Sequence, residues 1–440
     1  MAELAVSVGE TSTKRVRLQG HVQGVGFRPF VYRLATRHGI VGHVQNQLGE
    51  VEVVAQGSAE ALERFIDGLV ADAPPLASPS VLAIDSVSKL DHDSFRIIDS
   101  LADTDAQIFV PPDYFMCDEC KAELQNSSDR RYAYPFINCT QCGPRYTLIE
   151  ALPYDRENTS MAGFPLCPEC EAEYLDPADR RFHAEPVACA KCGPQLHFEE
   201  PGCETVTASN AALARAVEAI RDGSVVAVKG IGGYHLVCDA LNDEAVATLR
   251  ERKRRPDKPL AVMFPVAGTD GLEIARSYVS FTYEEAALAS GPIRPIVLAR
   301  RRASCGLAGN VAPGLDEIGV FLPYSPLHQL LLDALGGPVV ATSGNISGEP
   351  VLTDNGEAAR RLRPVADAFL QHNRPIVRPA DDPVYRRIAG TMRPLRIGRG
   401  CAPRELELPY SQREPLLAVG GHMKGTVALS WDNRVVVSPH

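Results

Sequence analysis

The sequence lacks the features that mark secreted, membrane-spanning and nucleic-acid-binding proteins. Its first ten residues, MAELAVSVGE, contain neither a basic cluster nor an apolar stretch, so no secretory signal is expected. No apolar run approaches the roughly 18 residues that a membrane-spanning helix needs. The formal net charge is −10, which argues against general, salt-dependent binding to nucleic acid. These absences predict a cytoplasmic protein that does not insert into a membrane.

The composition is in other respects that of an ordinary globular protein. Of the 440 residues, 45% are apolar and 23% are charged, and this length predicts about three domains. The chain contains 12 cysteines. Because no secretory signal is expected, these cysteines indicate metal binding or catalysis rather than disulfide bonds.

Residues 14–100 have the pattern of a small α+β domain. An alternating strand, RVRLQG, precedes a helix that is expected to begin at Pro29 and to end at Gly39. Two strands then meet at a turn around Gly49, and a second helix follows Ser58. The apolar face of that helix consists of Leu62, Phe65, Ile66, Leu69 and Val70. Two further strands are expected, around Val81–Leu90 and Phe95–Ile98. The order βαββαβ predicts a ferredoxin-like fold.

The loop GHVQGVGFRPF, residues 20–30, leads from the first strand into the first helix and has the composition of an anion site. Unpaired backbone N–H groups and the positive end of the helix dipole favour a phosphate at such a position. Gly24 and Gly26 let the backbone close around the anion, and Arg28 offers a planar fork for its oxygens. Short glycine loops are common, so the pattern alone leaves open a plain turn with a solvated arginine.

The segment VQGVGFR, Val22 to Arg28, together with Asn46, resembles the motif of the acylphosphatase family. In that family the loop and its arginine bind the phosphate of an acyl phosphate, and the asparagine orients the attacking water. The resemblance implies that Arg28 clamps the phosphate and that Asn46 positions the water. No nucleophilic side chain is then required, since positioning and charge stabilisation carry the hydrolysis.

Residues 110–200 contain an internal repeat of cysteines. Each unit has the pattern C-x2-C-x18-C-x2-C, and the second begins 50 residues after the first. Two CxxC turns supply four thiolates in a tetrahedral arrangement, which suits Zn²⁺ and leaves no open position for catalysis. We therefore expect two structural zinc ions in a pair of zinc-ribbon-like units. The expected ligands are Cys117, Cys120, Cys139, Cys142, Cys167, Cys170, Cys189 and Cys192.

The cysteine repeat fits disulfide bonds or redox chemistry less well than it fits zinc. Disulfides are disfavoured by the expected compartment, and four CxxC pairs in register do not serve a single redox site. Zinc ribbons often bind nucleic acid, but this segment is not notably basic, so nucleic acid is disfavoured as a partner. The spacing leaves open whether the ligands pair within each unit or cross between the two.

Residues 206–410 alternate between helices and strands, which predicts an α/β domain. A helix is expected over Thr207–Arg221, and buried strands are expected in VVAV, PLAVMF and RPIVLA. A glycine-rich loop that contains Gly230 follows the first of these strands, and a Ser-Gly-Asn loop follows VVAT. A basic run from Arg250 to Lys258 is typical of a solvated helix end, but here it leads into a strand that would carry the charges toward a site.

This arrangement is similar to the YrdC family. GIGGYHLVCDA stands where that family has a PTDTVYGL-type stretch, KRRPDKPL matches its K-x-R-P element, and TSGNISG matches its S-x-N-x-S-G element. YrdC-like domains bind ATP and activate a carbon-dioxide-derived carboxylate as an acyl-adenylate. The resemblance implies that Lys253, Arg255 and Lys258 bind phosphates or the carboxylate, and that Ser343 and Asn345 bind the nucleotide. Tyr234 and Gly230 would line the pocket, with Lys229-Gly230 standing where the family has Pro-Thr.

Residues 415–440 are expected to form strands joined by a turn at Gly420 and Gly421. They resemble the opening of a TsaD-like domain of the actin and sugar-kinase type. The sequence is therefore expected to include only the beginning of such a domain.

The order of the four segments resembles that of the HypF family, the carbamoyltransferases of NiFe-hydrogenase maturation. The resemblance implies that the first domain releases carbamate from carbamoyl phosphate, and that the YrdC-like domain joins carbamate to ATP, with Mg²⁺, as carbamoyl-adenylate. It further implies transfer to the C-terminal cysteine of a HypE-like acceptor protein, toward the cyanide ligands of the hydrogenase iron.

Two alternative functions each fit part of the sequence. A YrdC-type enzyme could form threonylcarbamoyl-adenylate for tRNA modification, but the acylphosphatase-like and cysteine segments have no place in it. A non-enzymatic zinc module could bind nucleic acid, but the net charge of −10 disfavours it.

Overall fold

A computed structural model describes residues 11–22, 25–47, 50–74, 76–91, 93–98, 110–152, 154–346, 348–421 and 425–440. Gly24 and Gly49, which the sequence places in turns, lie outside the described residues, as does Ser347 of the TSGNISG element. The chain divides into two compact units. The first lies within Met1–Pro111, Asn138–Gln141 and Leu166–Val187, and the second lies within Pro112–Ile137, Cys142–Pro165 and Ala188–His440.

The first unit contains a five-stranded sheet with two helices. Its elements are β1 (Thr11–His21), α1 (Phe27–Arg37), β2 (Val41–Gln47), β3 (Glu50–Ser58), α2 (Ala59–Ala71), β4 (Ser78–Ser86) and β5 (Phe95–Ile97). The strand order is β4-β1-β3-β2-β5, antiparallel except for the parallel pair β2 and β5. The predicted ferredoxin-like order is confirmed, and Ser58 caps α2 by accepting a hydrogen bond from the backbone N–H of Ala61.

The first helix begins at Phe27, two residues before the predicted start at Pro29. Gly26 forms its N-cap with φ +71°, a left-handed conformation that favours glycine. Pro29 therefore occupies the third helical position. Its missing N–H costs nothing there, because the first N–H groups of a helix have no partner within the helix.

The cysteine repeat forms two short helices at equivalent positions. Helix α3 (Asp118–Gln125) begins directly after Cys117, and α4 (Pro168–Leu175) begins directly after Cys167. Each helix thus places the second cysteine of its CxxC pair in its first turn. Three 3₁₀ helices, Tyr146–Leu148, Arg156–Asn158 and Ser160–Gly163, lie between the two repeats in the chain.

The second unit is built around an 11-stranded mixed sheet. Its helices after the cysteine repeat are α5 (Ser209–Arg221), α6 (Asp243–Arg252), α7 (Tyr283–Ser290), α8 (Pro326–Leu335) and α9 (Asn355–Leu362), with 3₁₀ helices at Ala275–Ser277 and Gly309–Val311. Its strands are β6 (Leu196–Glu199), β7 (Val226–Lys229), β8 (Tyr234–Asp239), β9 (Val262–Met263), β10 (Val279–Ser280), β11 (Ile296–Arg301), β12 (Glu317–Phe321), β13 (Val339–Ser343), β14 (Ala368–His372), β15 (Val384–Ile388) and β16 (Thr391–Arg396). They run in the order β16-β15-β11-β12-β9-β13-β8-β7-β14-β6, with β10 paired to β11.

The apolar runs of the sequence form interior strands of this sheet. VVAV becomes β7, and RPIVLA becomes β11, whereas only Val262 and Met263 of PLAVMF are paired as a strand. The neighbouring Leu260 and Phe264 donate backbone hydrogen bonds to Val311 and Phe321 instead. The sheet therefore buries these side chains while leaving loops at its edges for polar residues.

The last residues form a separate four-stranded antiparallel sheet. Its strands are β17 (Arg404–Glu407), β18 (Leu416–Val419), β19 (Val427–Trp431) and β20 (Arg434–Val437), in the order β17-β20-β19-β18. The predicted strands are present, and Gly420 and Gly421 directly follow β18. Within the described ranges, no helix is long and apolar enough to span a membrane.

Candidate active sites and metal centres

The loop before α1 ends at a helix N-terminus, as the sequence predicts. Arg28 is the second residue of α1 and is half-buried, and α1 contacts β2 and β5. A Cβ added to Gly26 would lie 2.9 Å from the Cβ of Thr140, so the loop packs against a residue that stands between two of the repeated cysteines. Glycine at position 26 is required both by this contact and by the backbone conformation.

Asn46 lies on β2, the strand that α1 contacts, opposite Val51 of β3. Its side-chain Oδ1 is buried and has no hydrogen-bond partner among the described residues. A buried carbonyl oxygen without a partner is costly, so native proteins usually supply a donor such as water. The structure therefore leaves an acceptor at the position where a water could be held.

The eight repeated cysteines form two sets of four. In each set the sulfur atoms lie within 4.8 Å of one another, and the ligands pair within each repeat rather than crossing between repeats. The sulfurs of Cys120 and Cys142 are 3.5 Å apart, and those of Cys189 and Cys192 are 3.8 Å apart. Four sulfurs at about 2.3 Å from a tetrahedral zinc lie about 3.8 Å from one another, so the sets fit two structural zinc ions.

The two repeats exchange an equivalent pair of hydrogen bonds. Nε of Arg131 donates to the carbonyl of Ala188 at 2.9 Å, and Nε of Arg181 donates to the carbonyl of Asn138 at 3.2 Å. Each acceptor directly precedes a CxxC pair of the other repeat, and both arginines are buried. Arg131 lies in the segment DRRY, residues 129–132, and Arg181 lies in the equivalent segment DRRF, residues 179–182. The two repeats thus form the same hydrogen bond in both directions, which the spacing of the cysteines did not indicate.

A cavity of about 1210 Å³ opens in the second unit. Residues from β8, β13, the α6–β9 loop and the segment after β14 line it. Six of the seven predicted nucleotide-site residues are among them: Tyr234, Lys253, Arg255, Lys258, Ser343 and Asn345. The volume is sufficient for a nucleotide.

Lys253 is a fixed part of the cavity wall. It is only 6% exposed, and its Nζ donates to the carbonyl of Ser343 and, at 3.1 Å each, to the carbonyl and Oδ1 of Asn345. Ser343 Oγ also donates to Asn345 Oδ1 at 2.8 Å. The ammonium therefore ties the end of α6 to the Ser-Gly-Asn loop, and this contact sets the shape of the loop.

Arg255 and Lys258 add positive charge to a cavity wall that also contains four acidic residues, Asp257, Glu349, Asp381 and Asp382. Arg255 donates to Thr342 Oγ1 at 3.1 Å, while Lys258 is exposed at the rim. Burial, with the nearby charges of Arg250 and Arg396, lowers the pKa of Arg255 to about 10. Like charges held this close repel one another, and a bound phosphate would relieve that repulsion.

The two residues expected beside the glycine loop lie in different places. Tyr234 lines the large cavity, but its hydroxyl is buried and donates to Gln371 Oε1 at 2.7 Å, or to Asn355 Oδ1 at 3.0 Å. Gly230 does not line the large cavity and instead borders a second, much smaller one. β7 and β8 form an antiparallel hairpin whose turn is Gly230–Gly233, and Gly233, at the other end of this turn from Gly230, lines the large cavity.

A buried polar chain in the cavity wall was not predicted from the sequence. Asp382 Oδ2 lies 2.8 Å from His235 Nε2, His235 Nδ1 lies 3.4 Å from His328 Nε2, and His328 Nδ1 lies 2.7 Å from Ser325 Oγ. Burial, then the adjacent His235, lowers the pKa of His328 to about 3, so this ring is neutral. A histidine directly after Tyr234 in an otherwise apolar strand was the signal that could have indicated it.

Comparison with known families gives three matches along the chain. The family described as "Acylphosphatase" matches residues 14–97, the "HypF finger" family matches residues 116–149 and 166–199, and the Sua5/YciO/YrdC family, described as "Telomere recombination", matches residues 218–398. The chain therefore joins an acylphosphatase domain, a paired four-cysteine finger and a YrdC-like domain.

Over nearly its whole length the chain is similar to carbamoyltransferases named HypF. The chain is 49% identical over 97% of its length to carbamoyltransferase HypF of Synechocystis sp., and 47% identical over 97% to HypF2 of Cupriavidus necator. A crystal structure of full-length HypF in the phosphate- and nucleotide-bound form covers 99% of the chain with a TM-score of 0.86 at 41% identity. Over these three domains the chain belongs to the HypF family. It spans about half the length of these relatives, 55%, 54% and 56% respectively.

Proposed function

We propose that this chain carries out the first two steps of a carbamoyl transfer. The first domain hydrolyses carbamoyl phosphate to carbamate and inorganic phosphate. The YrdC-like domain then joins carbamate to ATP, with Mg²⁺, as a carboxylate oxygen of carbamate attacks the α-phosphorus and pyrophosphate leaves. The observation that carries this proposal is that one chain combines a helix N-terminus with Arg28 in its first turn and a cavity of about 1210 Å³ whose wall includes Arg255 and Lys258.

Each step has side chains suited to it. Arg28, at the N-terminus of α1, supplies a bidentate donor to the phosphate, and the buried Oδ1 of Asn46 accepts a hydrogen bond from the attacking water. In the cavity, Arg255 and Lys258 neutralise the phosphates of ATP, and the loop of Ser343 and Asn345, held by Lys253, positions the nucleotide. Carbamate decomposes in water, so a chain that both makes and consumes it limits its loss.

The third step is proposed for the longer proteins that this chain resembles. A HypE-like acceptor would take the carbamoyl group on its C-terminal cysteine, toward the cyanide ligands of the hydrogenase iron. The residues of the loop and the large cavity serve only the two earlier steps. We further infer that the reaction takes place in the cytoplasm, where ATP is available and cysteine thiolates stay reduced.

Exchange of labelled pyrophosphate into ATP tests the proposal, because it requires adenylation but no acceptor. We expect exchange to depend on carbamoyl phosphate and to be lost in Arg28→Ala, which would supply no carbamate. Arg37→Ala is the matched control, since Arg37 lies in the last turn of the same helix and is exposed. If exchange instead requires bicarbonate and threonine and ignores carbamoyl phosphate, the threonylcarbamoyl-adenylate function is correct.

A further inference from the structure

The four-stranded sheet of β17–β20 (the tail sheet) supplies part of the wall of the large cavity. Gly425, which lies between β18 and β19, and His440, which follows β20, both line that cavity together with residues of the 11-stranded sheet. The match to the Sua5/YciO/YrdC family ends at residue 398, well before either of them. The cavity proposed for the nucleotide is therefore not built by the YrdC-like domain alone.

His440 joins the tail sheet to the end of β16. Its backbone N–H donates to the carbonyl of Ile397 at 3.1 Å, and its ring Nδ1 lies 3.1 Å from the backbone nitrogen of the same residue. Ile397 directly follows Arg396, which is the last residue of β16 and also lines the large cavity. These two contacts hold the His440 ring beside the strand end that carries Arg396.

The contacts with Ile397 determine which ring nitrogen of His440 carries the proton. Nδ1 also lies 3.0 Å from the carbonyl oxygen of Ile397, but that oxygen already accepts the backbone N–H of His440. The backbone N–H of Ile397 has no acceptor other than Nδ1 among the residues that the structure describes. Because a backbone N–H needs an acceptor, Nδ1 accepts this bond and the proton of the neutral ring is on Nε2.

The Nε2–H of His440 is a donor at a part of the cavity wall that suits an anion. Nε2 has no hydrogen-bond partner within the described ranges of the chain. Arg396 is anchored there by its Nε, which donates to the carbonyl of Asp382 at 2.8 Å. The carboxylate of Asp382 is itself engaged, by His235 at 2.8 Å and by Arg399 at 3.0 Å. The donors of His440 and Arg396 therefore face the cavity beside an acid that is already neutralised.

We propose that His440 binds the nucleotide directly, with its Nε2–H donating to a phosphate oxygen beside Arg396. The presence of a nucleotide in the large cavity rests on the proposed function, whereas the donor and its direction follow from the contacts with Ile397. The tail sheet is then a part of the adenylation site as well as the beginning of a further domain. Binding of ATP depends on a residue that lies outside the YrdC-like domain.

Two substitutions at position 440 separate the contact with the nucleotide from the contact with Ile397. Asparagine offers an oxygen near the position of Nδ1 but does not reach as far as Nε2, whereas glutamine offers an amide N–H near Nε2 and lacks the acceptor near Nδ1. In His440→Asn the dissociation constant for ATP, measured by titration calorimetry on the full chain, should weaken about tenfold or more, since a donor to a charged group is lost. In His440→Gln it should change by less than about threefold.

A control and a second measurement accompany this comparison. His38→Asn replaces the histidine that follows α1 in the first unit, and it should bind ATP as the wild type does. In wild-type protein labelled with ¹⁵N-histidine, one Nε2–H signal should shift when ATP is added, and that signal should be missing from His440→Gln. This measurement reports the contact in the unaltered chain, so it decides the question even if His440→Asn does not fold.

Three results would overturn the role of His440: equal ATP binding by the wild type and His440→Asn, weaker binding in His440→Gln than in His440→Asn, or no shift of the His440 signal with ATP. The second result would mean that the ring serves only to hold Ile397. Failure of the proposed function has a different signature, since the wild type would then not bind ATP at all, or its pyrophosphate exchange would require threonine and bicarbonate. In the threonine case the contact of His440 with ATP would remain.

Discussion

The loop before α1 and the large cavity of the second unit, the two sites that we propose for phosphate, are built in opposite ways. The loop uses a few consecutive residues, a helix N-terminus and one asparagine on a neighbouring strand. The cavity collects side chains from Tyr234 to His440, and most of its buried polar groups already have partners within the protein. A local site depends on single residues, whereas an assembled site distributes its binding over many.

Removal of zinc would test whether the two sites are independent of the cysteine repeat. Structural zinc contributes apparent binding energies of about 10–16 kcal/mol in small domains, so chelation should unfold the repeat. Because Thr140 packs on Gly26, phosphate release from carbamoyl phosphate should also fall sharply. Elemental analysis should find two zinc ions before chelation, and Cys203→Ser, an exposed cysteine outside both sets, should retain both. Undiminished phosphate release from metal-free protein would contradict this coupling.

Arg28→Ala should have the largest effect of any single substitution on the local site. Phosphate release should fall about 10²-fold or more, the usual result of losing one main charge-stabilising donor. Arg28→Lys should not restore it fully, because a lysine cannot offer a planar fork. Phosphate release is measured directly from carbamoyl phosphate, and unchanged rates in both variants would remove the assignment.

Lys253→Met should show the assembled site to be more tolerant. The substitution leaves the oxygens of Ser343 and Asn345 without their shared donor, and pyrophosphate exchange should fall about tenfold while phosphate release stays unchanged. Arg252→Ala, one residue earlier and partly exposed, is the control. A loss of more than about 10³-fold would instead indicate that Lys253 contacts the substrate directly.

A further prediction concerns the pH dependence of stability. The folded state holds the pKa of Lys229 at about 8, below its ordinary value of 10.5, so charged Lys229 destabilises the fold below pH 8. Between those two values the unfolded state binds more protons, and the free energy of unfolding should therefore rise with pH. Lys229→Met should lack this rise, as judged from urea unfolding across that range. Lys89→Met, which replaces an exposed lysine, should follow the wild type.

The features that depend on neighbouring residues in the chain were predictable from the sequence. The cysteine spacing predicted two complete four-cysteine sets, and the apolar periodicity predicted the βαββαβ order of the first unit. The apolar face predicted for α2 was too wide, because Val70 is 45% exposed. Periodicity along the sequence does not reveal where the sheet beneath the helix ends.

The features that depend on tertiary contacts were not predictable. Lys253 was expected to bind a substrate group, but its bonds to the Ser-Gly-Asn loop join residues 90 and 92 positions apart. Gly230 was expected in the large cavity, yet the β7–β8 hairpin places it at the small one. His440 carried no motif, because what distinguishes it is its contact with Ile397, 43 positions earlier in the chain.

The exchanged bonds of Arg131 and Arg181 have an evolutionary consequence. An ancestral duplication of the finger would have been reversible for as long as each copy was self-sufficient. Each copy now supplies an arginine to the carbonyl that precedes a CxxC pair of the other copy. Loss of one copy would therefore leave a buried guanidinium and a buried carbonyl of the remaining copy without these hydrogen bonds. Selection would then keep the two copies together, and the fixed interval of 50 residues between them is the lasting trace of that dependence.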